Sequence, residues 1–345
     1  MNENNTIKNR YEFVLLFDAT NCNPNGDPDA GNMPRIDSET HRGLVTDVCI
    51  KRKIRNRIQI RTVNNNDLNK NNYDIFIKEK AVLNNLIKEA YDSLETKSEK
   101  KIVTPSDAQK FMCEKYYDVR TFGAVMSTGG KEDSKNDSES ENDEIKIDNT
   151  KKKGEKTDKS KKSKNAGQVK GPIQLSFATS ISPIFEHPHC LTRCAVTKEA
   201  DIDKEQTMGR KYTIPYGLYR AHGYISAFRA HKTGFSKKDL QIFWEALLNM
   251  FEEDPSSSHS GMTVCALYVF KHSSQLGNMY AADVFDSVEI TETENKPPRS
   301  FRDYKVTLKT EKLGDKVTFL RYRDRWNPEL EDGVEDPTIA EESKG

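Results

Sequence analysis

The chain has 345 residues but lacks any apolar run long enough to span a bilayer, and no charged-then-apolar signal opens it. We therefore expect a cytoplasmic protein without membrane contacts. Its six cysteines are scattered along the chain, so we interpret them as reduced thiols. Hydrophobic residues make up only 34%, which predicts that part of the chain lies outside a compact core, as two domains or one domain with insertions.

The chain also lacks a net charge, because 54 Lys and Arg residues balance 54 Asp and Glu residues. A strongly basic chain would by itself have indicated a nucleic-acid partner, so here such a partner must be argued from local clusters. A convincing catalytic set is missing too. Acid–base candidates exist, but their spacing does not require a common site, and we predict no enzyme. These candidates are Asp18, Asp37, His41, His222 and His231.

Aromatic residues are absent from residues 131–165, which consist almost entirely of Lys, Glu, Asp, Ser, Asn and Thr. Such a segment cannot bury enough apolar surface to offset the entropy of ordering it, so we predict a disordered charged insertion. Residues 291–345 form a C-terminal segment, and its tail from Glu329 is acidic and predicted to be flexible.

The remaining segments alternate between strand and helix patterns. We predict strands over 11–18, 172–184, 222–230, 261–270, 283–290 and 304–309, and helices over 43–61, 79–94, 105–117 and 236–253. Thr104 with Asp107, and Ser236 with Asp239, have the spacing of helix-capping boxes. Without insertions, the order strand, helix, strand, strand, helix, strand is typical of the ferredoxin-like, or RRM-like, α+β fold, which serves many functions.

The first candidate binding feature is the polar turn at 23–31. Asn23, Asn25 and two glycines offer amides and backbone N–H groups that suit phosphate or ribose. Asp27 and Asp29 count against a pure phosphate cradle. A long connection shaped by its turn residues explains the composition equally well.

A basic helix follows this turn. Lys53, Arg57 and Arg61 share one face at spacings of four residues, and Lys51 and Arg55 form a second pair. Along the helix itself only Asp47 opposes them. Because cations packed this densely repel one another, the pattern favours a nucleic-acid contact over a merely solvated face.

Three further motifs carry weaker signals. Arg120 precedes a Gly-rich segment at 122–130 that could approach a backbone closely, although a strand ending in a turn is the better interpretation of its spacing. Cations next to Tyr212 and Tyr216 suit stacking on unpaired bases, or else a β-hairpin. A zinc site is not predicted, since the candidate ligands have no second pair at finger-like spacing. These ligands are His187, His189, Cys190 and Cys194.

Taken together, six motifs resemble one family. They lie at 23–28, 43–55, 122–129, 167–172, 209–212 and 215–223. In this order they resemble the backbone subunit of type I CRISPR Cascade complexes, most closely the type I-C subunit (Cas-seven family, Csd-two type), over about residues 10–290. Two departures stand out: a Gly-rich segment is expected where 39–43 stands, and the 131–165 insertion interrupts the pattern. If the turn before it lies near RNA, this insertion must loop outward.

The resemblance implies an RRM-like palm at 10–60 and 166–290, a helical finger insertion at 62–120 and a β-hairpin thumb at 193–215. It implies copies stacked head to tail along one CRISPR RNA, which then pairs with target DNA. Expected partners are other copies of the chain, Cascade subunits of the Cas-five and Cas-eight type and, indirectly, the helicase-nuclease Cas-three. No cofactor is implied.

The resemblance and the charge pattern together predict the RNA-binding residues. They are Asn23, Asn25, Arg35, His41, Arg42, Lys51, Arg52, Lys53, Arg55, Arg120, Phe122, Gly123, Ser127, Gln168, Lys170, Arg193, Arg210, Lys211 and Tyr212. Two alternatives remain open at this point. One is an RRM-like endoribonuclease that processes CRISPR precursor RNA with His41 or His222 as general base. The other is a monomeric binder of single-stranded RNA.

Overall fold

A computed structural model describes residues 5–64, 68, 70–97, 102–126, 164–195, 207–294 and 296–324. The predicted insertion, apart from residues 164 and 165, and the acidic tail lie outside these residues. The helices are α1 Asp47–Asn64, α2 Lys70–Tyr73, α3 Leu83–Lys97, α4 Pro105–Lys115, α5 Tyr117–Phe122, α6 Ala227–Thr233, α7 Lys237–Leu248 and α8 Ala281–Asp286.

The strands are β1 Tyr11–Cys22, β2 Gly26–Asp27, β3 Met33–Pro34, β4 Arg42–Val45, β5 Gly123–Met126, β6 Gly167–Lys170, β7 Ile173–Leu175, β8 Ala178–Pro183, β9 His187–Arg193, β10 Thr207–Ile225, β11 Met262–His272, β12 Val288–Glu292, β13 Tyr304–Leu308 and β14 Val317–Asp324. No helix within the described ranges is long and apolar enough to cross a membrane.

The central sheet is antiparallel, with strand order β14-β11-β1-β10-β8-β4, and β7 and β9 also pair with β10. Strand β1 pairs along nearly its whole length with β10 on one side and β11 on the other. Residues 13–17 of β1 are fully buried on both faces of the sheet, which explains their unbroken apolar run. The prediction of a mixed α and β fold is confirmed.

The two faces of the sheet carry separate cores. Helices α1 and α7 cover the face that Phe13 and Phe17 share, where the Phe13 ring lies 5.1 Å from that of Trp244. Segment α8 and the β12–β13 ribbon cover the face of Val14 and Leu16. A third core lies between α3, α4 and β6. The same strands therefore contribute side chains to a separate core on each face of the sheet.

Both predicted capping boxes are confirmed. The Thr104 side chain accepts a hydrogen bond from the backbone N–H of Asp107, whose carboxylate in turn accepts one from the Thr104 backbone. Ser236 and Asp239 make the same reciprocal pair at the start of α7. Local chemistry therefore fixes where these helices begin.

Several predicted boundaries were wrong, and three of them are informative. Residues 42–45 form β4 and pair with β8, so the basic helix begins only at Asp47. Strand β10 ends at Ile225 because Ser226 caps helix α6, accepting a hydrogen bond from the Arg229 N–H. Residues 281–286 are helical, and strand β12 starts at Val288. In the first two cases a distant strand partner or a side-chain cap overrides the local pattern.

Candidate nucleic-acid interface

The predicted turn at 23–31 is held by its own asparagines. Asn23 is buried; its side-chain Nδ2 donates to the Asn32 carbonyl at 2.8 Å, and its backbone N–H donates to the Ser258 carbonyl at 2.7 Å. Asn25 Oδ1 accepts from the Thr46 N–H at 2.9 Å, just before α1. These amides therefore fix the turn against α1 and the rest of the chain.

Five cations of α1 are paired with carboxylates, most of which come from distant parts of the chain. The pairs are Lys51 with Asp47, Lys53 with Asp254, Arg55 with Asp118, Arg57 with Glu253 and Arg61 with Glu245. Only the first of these acids lies on the helix itself. The sequence of the helix contains few acidic residues, but the folded chain brings carboxylates from other segments to its cations.

Arg55 and its partner lie in the interior. Arg55 Nε donates to Asp118 Oδ2 at 2.8 Å, and the two side chains are 9% and 1% exposed. The same carboxylate accepts the backbone N–H groups of Phe76 and Ile77. The Arg55 guanidinium also lies 5.2 Å from the centre of the buried Phe122 ring. Arg55, through Asp118 and Phe122, thus joins α1 to α5.

Arg120 is the most heavily engaged of the predicted residues. Its guanidinium makes two hydrogen bonds to the Asp239 carboxylate, at 3.1 and 2.8 Å, and one to the Asn72 carbonyl at 2.6 Å. The Tyr73 and Tyr117 rings lie 4.9 and 5.1 Å from it. Since Asp239 is also part of the capping box of α7, Arg120 ties α5, α2 and α7 together.

Gly123 is required by its conformation and by its neighbours. It has a φ of 86°, and an added Cβ would lie 2.4 Å from the Val169 carbonyl oxygen, where β5 pairs with β6. Gln168 and Lys170 on β6 are exposed, with the buried Val169 between them. Ser127, which follows β5, lies outside the described residues.

Replacing Gly123 with Ala should destabilise the protein more than replacing Gly167 with Ala. Both glycines have positive φ, but the nearest atom to a Cβ at Gly167 is a side-chain nitrogen 3.5 Å away. Both variants place a side chain at positive φ, but Gly123 has φ 86° and ψ 168°, a conformation that is nearly restricted to glycine. This strain and the clash together should make the loss at Gly123 larger by about 2 kcal/mol. Urea unfolding of the two variants measures this difference; equal losses would contradict the close packing at Gly123.

The hairpin formed by β9 and the first part of β10 carries the next predicted cations. Pairing begins at His187, ahead of the predicted thumb segment, and residues 196–206 lie outside the described ranges. Arg210 is exposed and shares one face with the half-buried Tyr212, whereas Lys211 points to the other face. Lys211 Nζ donates to the Ser257 carbonyl and lies 3.2 Å from its Oγ.

The backbone of Arg193 pairs with Thr207 at the far end of β9. His189 Nε2 lies 2.9 Å from Thr213 Oγ1 across the hairpin. In the part of the chain that the structure describes, no three His, Cys, Asp or Glu side chains are grouped to hold a metal ion.

Several predicted cations remain available for a ligand. Arg42, Lys170 and Arg210 are exposed, and the half-buried Arg52 makes no hydrogen bond or ion pair with any described residue. His41 is exposed beside Arg42 and has a φ of 53°. Arg35 is half-buried, with Nη1 3.3 Å from Asp27 Oδ2.

Sequence reasoning missed the connection between α7 and β11, residues 249–261. This connection contacts three of the predicted features: α1, the hairpin and the 23–31 turn. Asp254 binds α1 through Lys53 and Asn56, Ser257 binds the hairpin through Lys211, and the Ser258 carbonyl binds the 23–31 turn. No local pattern marks this Ser-rich connection as important. Its contacts all span long sequence separations, which spacing arguments do not detect.

His222 is engaged inside the protein. Its Nε2 accepts a hydrogen bond from Arg220 Nε at 2.8 Å, and its ring stacks on Phe285 with centroids 4.0 Å apart. Burial, together with the positive charge of Arg220, lowers the pKa of His222 to about 4. The ring is therefore neutral at pH 7. Its lone pair is occupied, which counts against its action as a general base.

These elements define a protein with a central antiparallel sheet, the long helices α1 and α7 on one face and a cation-bearing hairpin. A family model described as CRISPR-associated protein Cas7 matches residues 9–309. The chain therefore belongs to the CRISPR-associated Cas7 family. This confirms the resemblance at the level of the family, whereas the type I-C subtype stays a prediction.

Individual known proteins are also similar to this chain. A CRISPR-associated protein Cas7 from Haloferax volcanii is 24% identical over 345 residues, covering 96% of this chain and 91% of that protein. Among solved structures, a chain from a CRISPR RNA-guided surveillance complex, pre-nicking, is 12% identical with a TM-score of 0.43, covering 80% of this chain and 86% of that one. A chain from the Type III-B Cmr-beta bound to cognate target RNA is 8% identical with a TM-score of 0.36, covering 76% and 61%.

Proposed function

We propose that this chain is a non-catalytic backbone subunit of a CRISPR RNA-guided surveillance complex of type I-C. In this role copies assemble head to tail along the guide RNA and leave its bases free to pair with target DNA, together with Cas-five and Cas-eight type subunits and the later-recruited Cas-three. The observation that carries the proposal is the match of residues 9–309 to the Cas7 family model.

The strand order supports an RRM-like palm. Strands β11, β1, β10 and β8 are neighbours in that order, and α1 and α7 cover one face of them. Read along the chain, these elements give strand, helix, strand, strand, helix, strand, the order that the RRM-like fold has.

The proposed RNA-binding surface runs from the hairpin to β6. Lys211 contacts the α7–β11 connection, this connection contacts α1, and the Lys51 ammonium of α1 lies 5.8 Å from the Phe122 ring, next to the β5–β6 ribbon. The exposed Arg210 and Lys170 mark its two ends, and Arg52 lies between them. Cations spaced in this way suit phosphates, which every RNA sequence shares.

Light scattering with single-stranded RNAs of increasing length tests the proposal. We expect the number of bound copies to rise with RNA length, because a head-to-tail contact does not close on itself. The RNA should remain intact during incubation with labelled repeat RNA. One bound copy at every length would indicate a monomeric binder, and cleavage lost in His41→Ala would indicate the endoribonuclease instead.

A further inference from the structure

A cleft of about 400 Å³ lies between α1 and the α7–β11 connection. Helix α1 lines it with Arg52, Lys53 and Asn56, and the connection lines it with Asp254, Ser256 and His259. The connection is also bonded to the hairpin and to the 23–31 turn, so the cleft lies where three parts of the proposed RNA surface meet.

The donors of the cleft suit an anion, and in the free chain they bind the carboxylate of Asp254. Lys53 Nζ donates to Asp254 Oδ2, and Asn56 Nδ2 donates to the other oxygen, Oδ1, at 3.1 Å. Partial burial opposes ionisation of Asp254, but the hydrogen bond and charge of Lys53 prevail and lower the pKa of this carboxyl below its usual value. Two donors directed at two anionic oxygens would serve a phosphate as well as a carboxylate.

One cation of the cleft has no carboxylate partner. The lining carries Arg52 and Lys53 together with the carboxylates of Asp254 and Glu253. Lys53 is paired with Asp254, and Glu253, with 60% of its side chain exposed, lies 3.9 Å from Arg57. Arg52 has no hydrogen bond or ion pair to any described residue. Its guanidinium is therefore available to an outside anion.

We propose that this cleft is a subsite for one backbone phosphate of RNA, and that Asp254, with Glu253 at the rim, is an internal competitor for the same cations. The inference rests on the proposed function, since RNA is the polyanion that this surface would meet. A short RNA must displace the carboxylates with few other contacts. A long guide is held at many points at once, so its phosphates reach the cleft at a high effective concentration.

Two substitutions at the cleft should change RNA affinity in opposite directions. Asp254→Asn keeps the shape of the side chain and removes the competing charge, so we expect about fivefold tighter binding at low salt. Arg52→Gln should weaken binding about fivefold and make the salt dependence shallower by about 0.7 in log–log slope. Fluorescence anisotropy with a single-stranded RNA of about eight nucleotides, over a range of salt concentrations, measures both effects.

The chain offers a matched control for each change. Glu252→Gln removes an exposed carboxylate one residue outside the pair, and Arg302→Gln removes an exposed cation on the opposite face of the sheet. Neither should change affinity by more than about twofold. Because Glu253 is largely exposed, Glu253→Gln tests the same competition without disturbing the fold, and a smaller gain in affinity is expected.

The outcomes separate the inference from the proposed function. If wild-type protein binds RNA but Asp254→Asn and Glu253→Gln bind no tighter than Glu252→Gln, the competition is contradicted. Weaker binding by Asp254→Asn with a lower unfolding temperature would show that Asp254 only braces the fold, and would also overturn it. If the wild-type protein binds no RNA of any length, the proposed function fails instead.

Discussion

Arg120→Ala should lower the free energy of unfolding by about 3–5 kcal/mol, the usual cost of leaving one partner of a buried ion pair without its counterion. The Arg120 and Asp239 side chains are 7% and 4% exposed. Removing the guanidinium leaves the Asp239 carboxylate buried beside two tyrosine rings and frees the Asn72 carbonyl from its hydrogen bond. Urea unfolding monitored by circular dichroism measures the loss.

A control variant and a double variant test whether the loss of stability comes from breaking the buried ion pair. Arg42→Ala removes an exposed arginine from the edge strand β4 and should change stability by no more than about 0.5 kcal/mol. The double variant Arg120→Met with Asp239→Asn removes both charges and should be more stable than Arg120→Met alone, since no buried charge is left unpaired. A mild effect of Arg120→Ala would show that Asp239 finds solvent or another partner. Any loss of RNA binding by Arg120→Ala is expected to follow from lost folding.

The triple variant Arg42→Gln, Lys170→Gln and Arg210→Gln should lower affinity for single-stranded RNA about a hundredfold at low salt while leaving stability unchanged. All three side chains are exposed, so the fold does not depend on them. If each cation neutralises one phosphate, the log–log salt dependence should become shallower by about 2. Anisotropy titrations across salt concentrations measure the affinity and the slope together.

The control for this variant removes three exposed cations from the opposite side of the molecule, at Arg302, Lys305 and Lys312. Both triple variants change net charge equally, so a general loss of attraction to a polyanion would affect them alike. An equal loss of affinity in both would contradict a defined surface. An unchanged salt slope in the first variant would contradict phosphate contacts by these three residues.

The positions of helices and strands were predictable where nearby residues determine them, as capping residues and apolar runs do. The capping boxes at Thr104 and Ser236 lie where spacing places them, and the apolar run predicted as a strand over 11–18 lies within β1. The boundaries failed at β4 and α6, where a distant strand partner or a side-chain cap decides the conformation, and also at α8. Family membership was also readable from ordered motifs.

The candidate site was only half predictable, and α1 shows why. Spacing along the helix identified its cations correctly but could not reveal their partners, because Asp118, Asp254 and Glu245 are distant in sequence. The sequence therefore predicted that these cations were available to nucleic acid, whereas five of them have carboxylate partners in the fold.

The sequence by itself determined the family, the main elements and the residue types of the surface, because motifs, caps and periodicity are local properties. Only the tertiary structure decided which cations are free. Folding buried Arg55 and Arg120 against Asp118 and Asp239, and left Arg42, Arg52, Lys170 and Arg210 without an ion pair among the described residues. The physical reason is that a charge must be paired when it is buried, and burial depends on contacts between segments far apart along the chain.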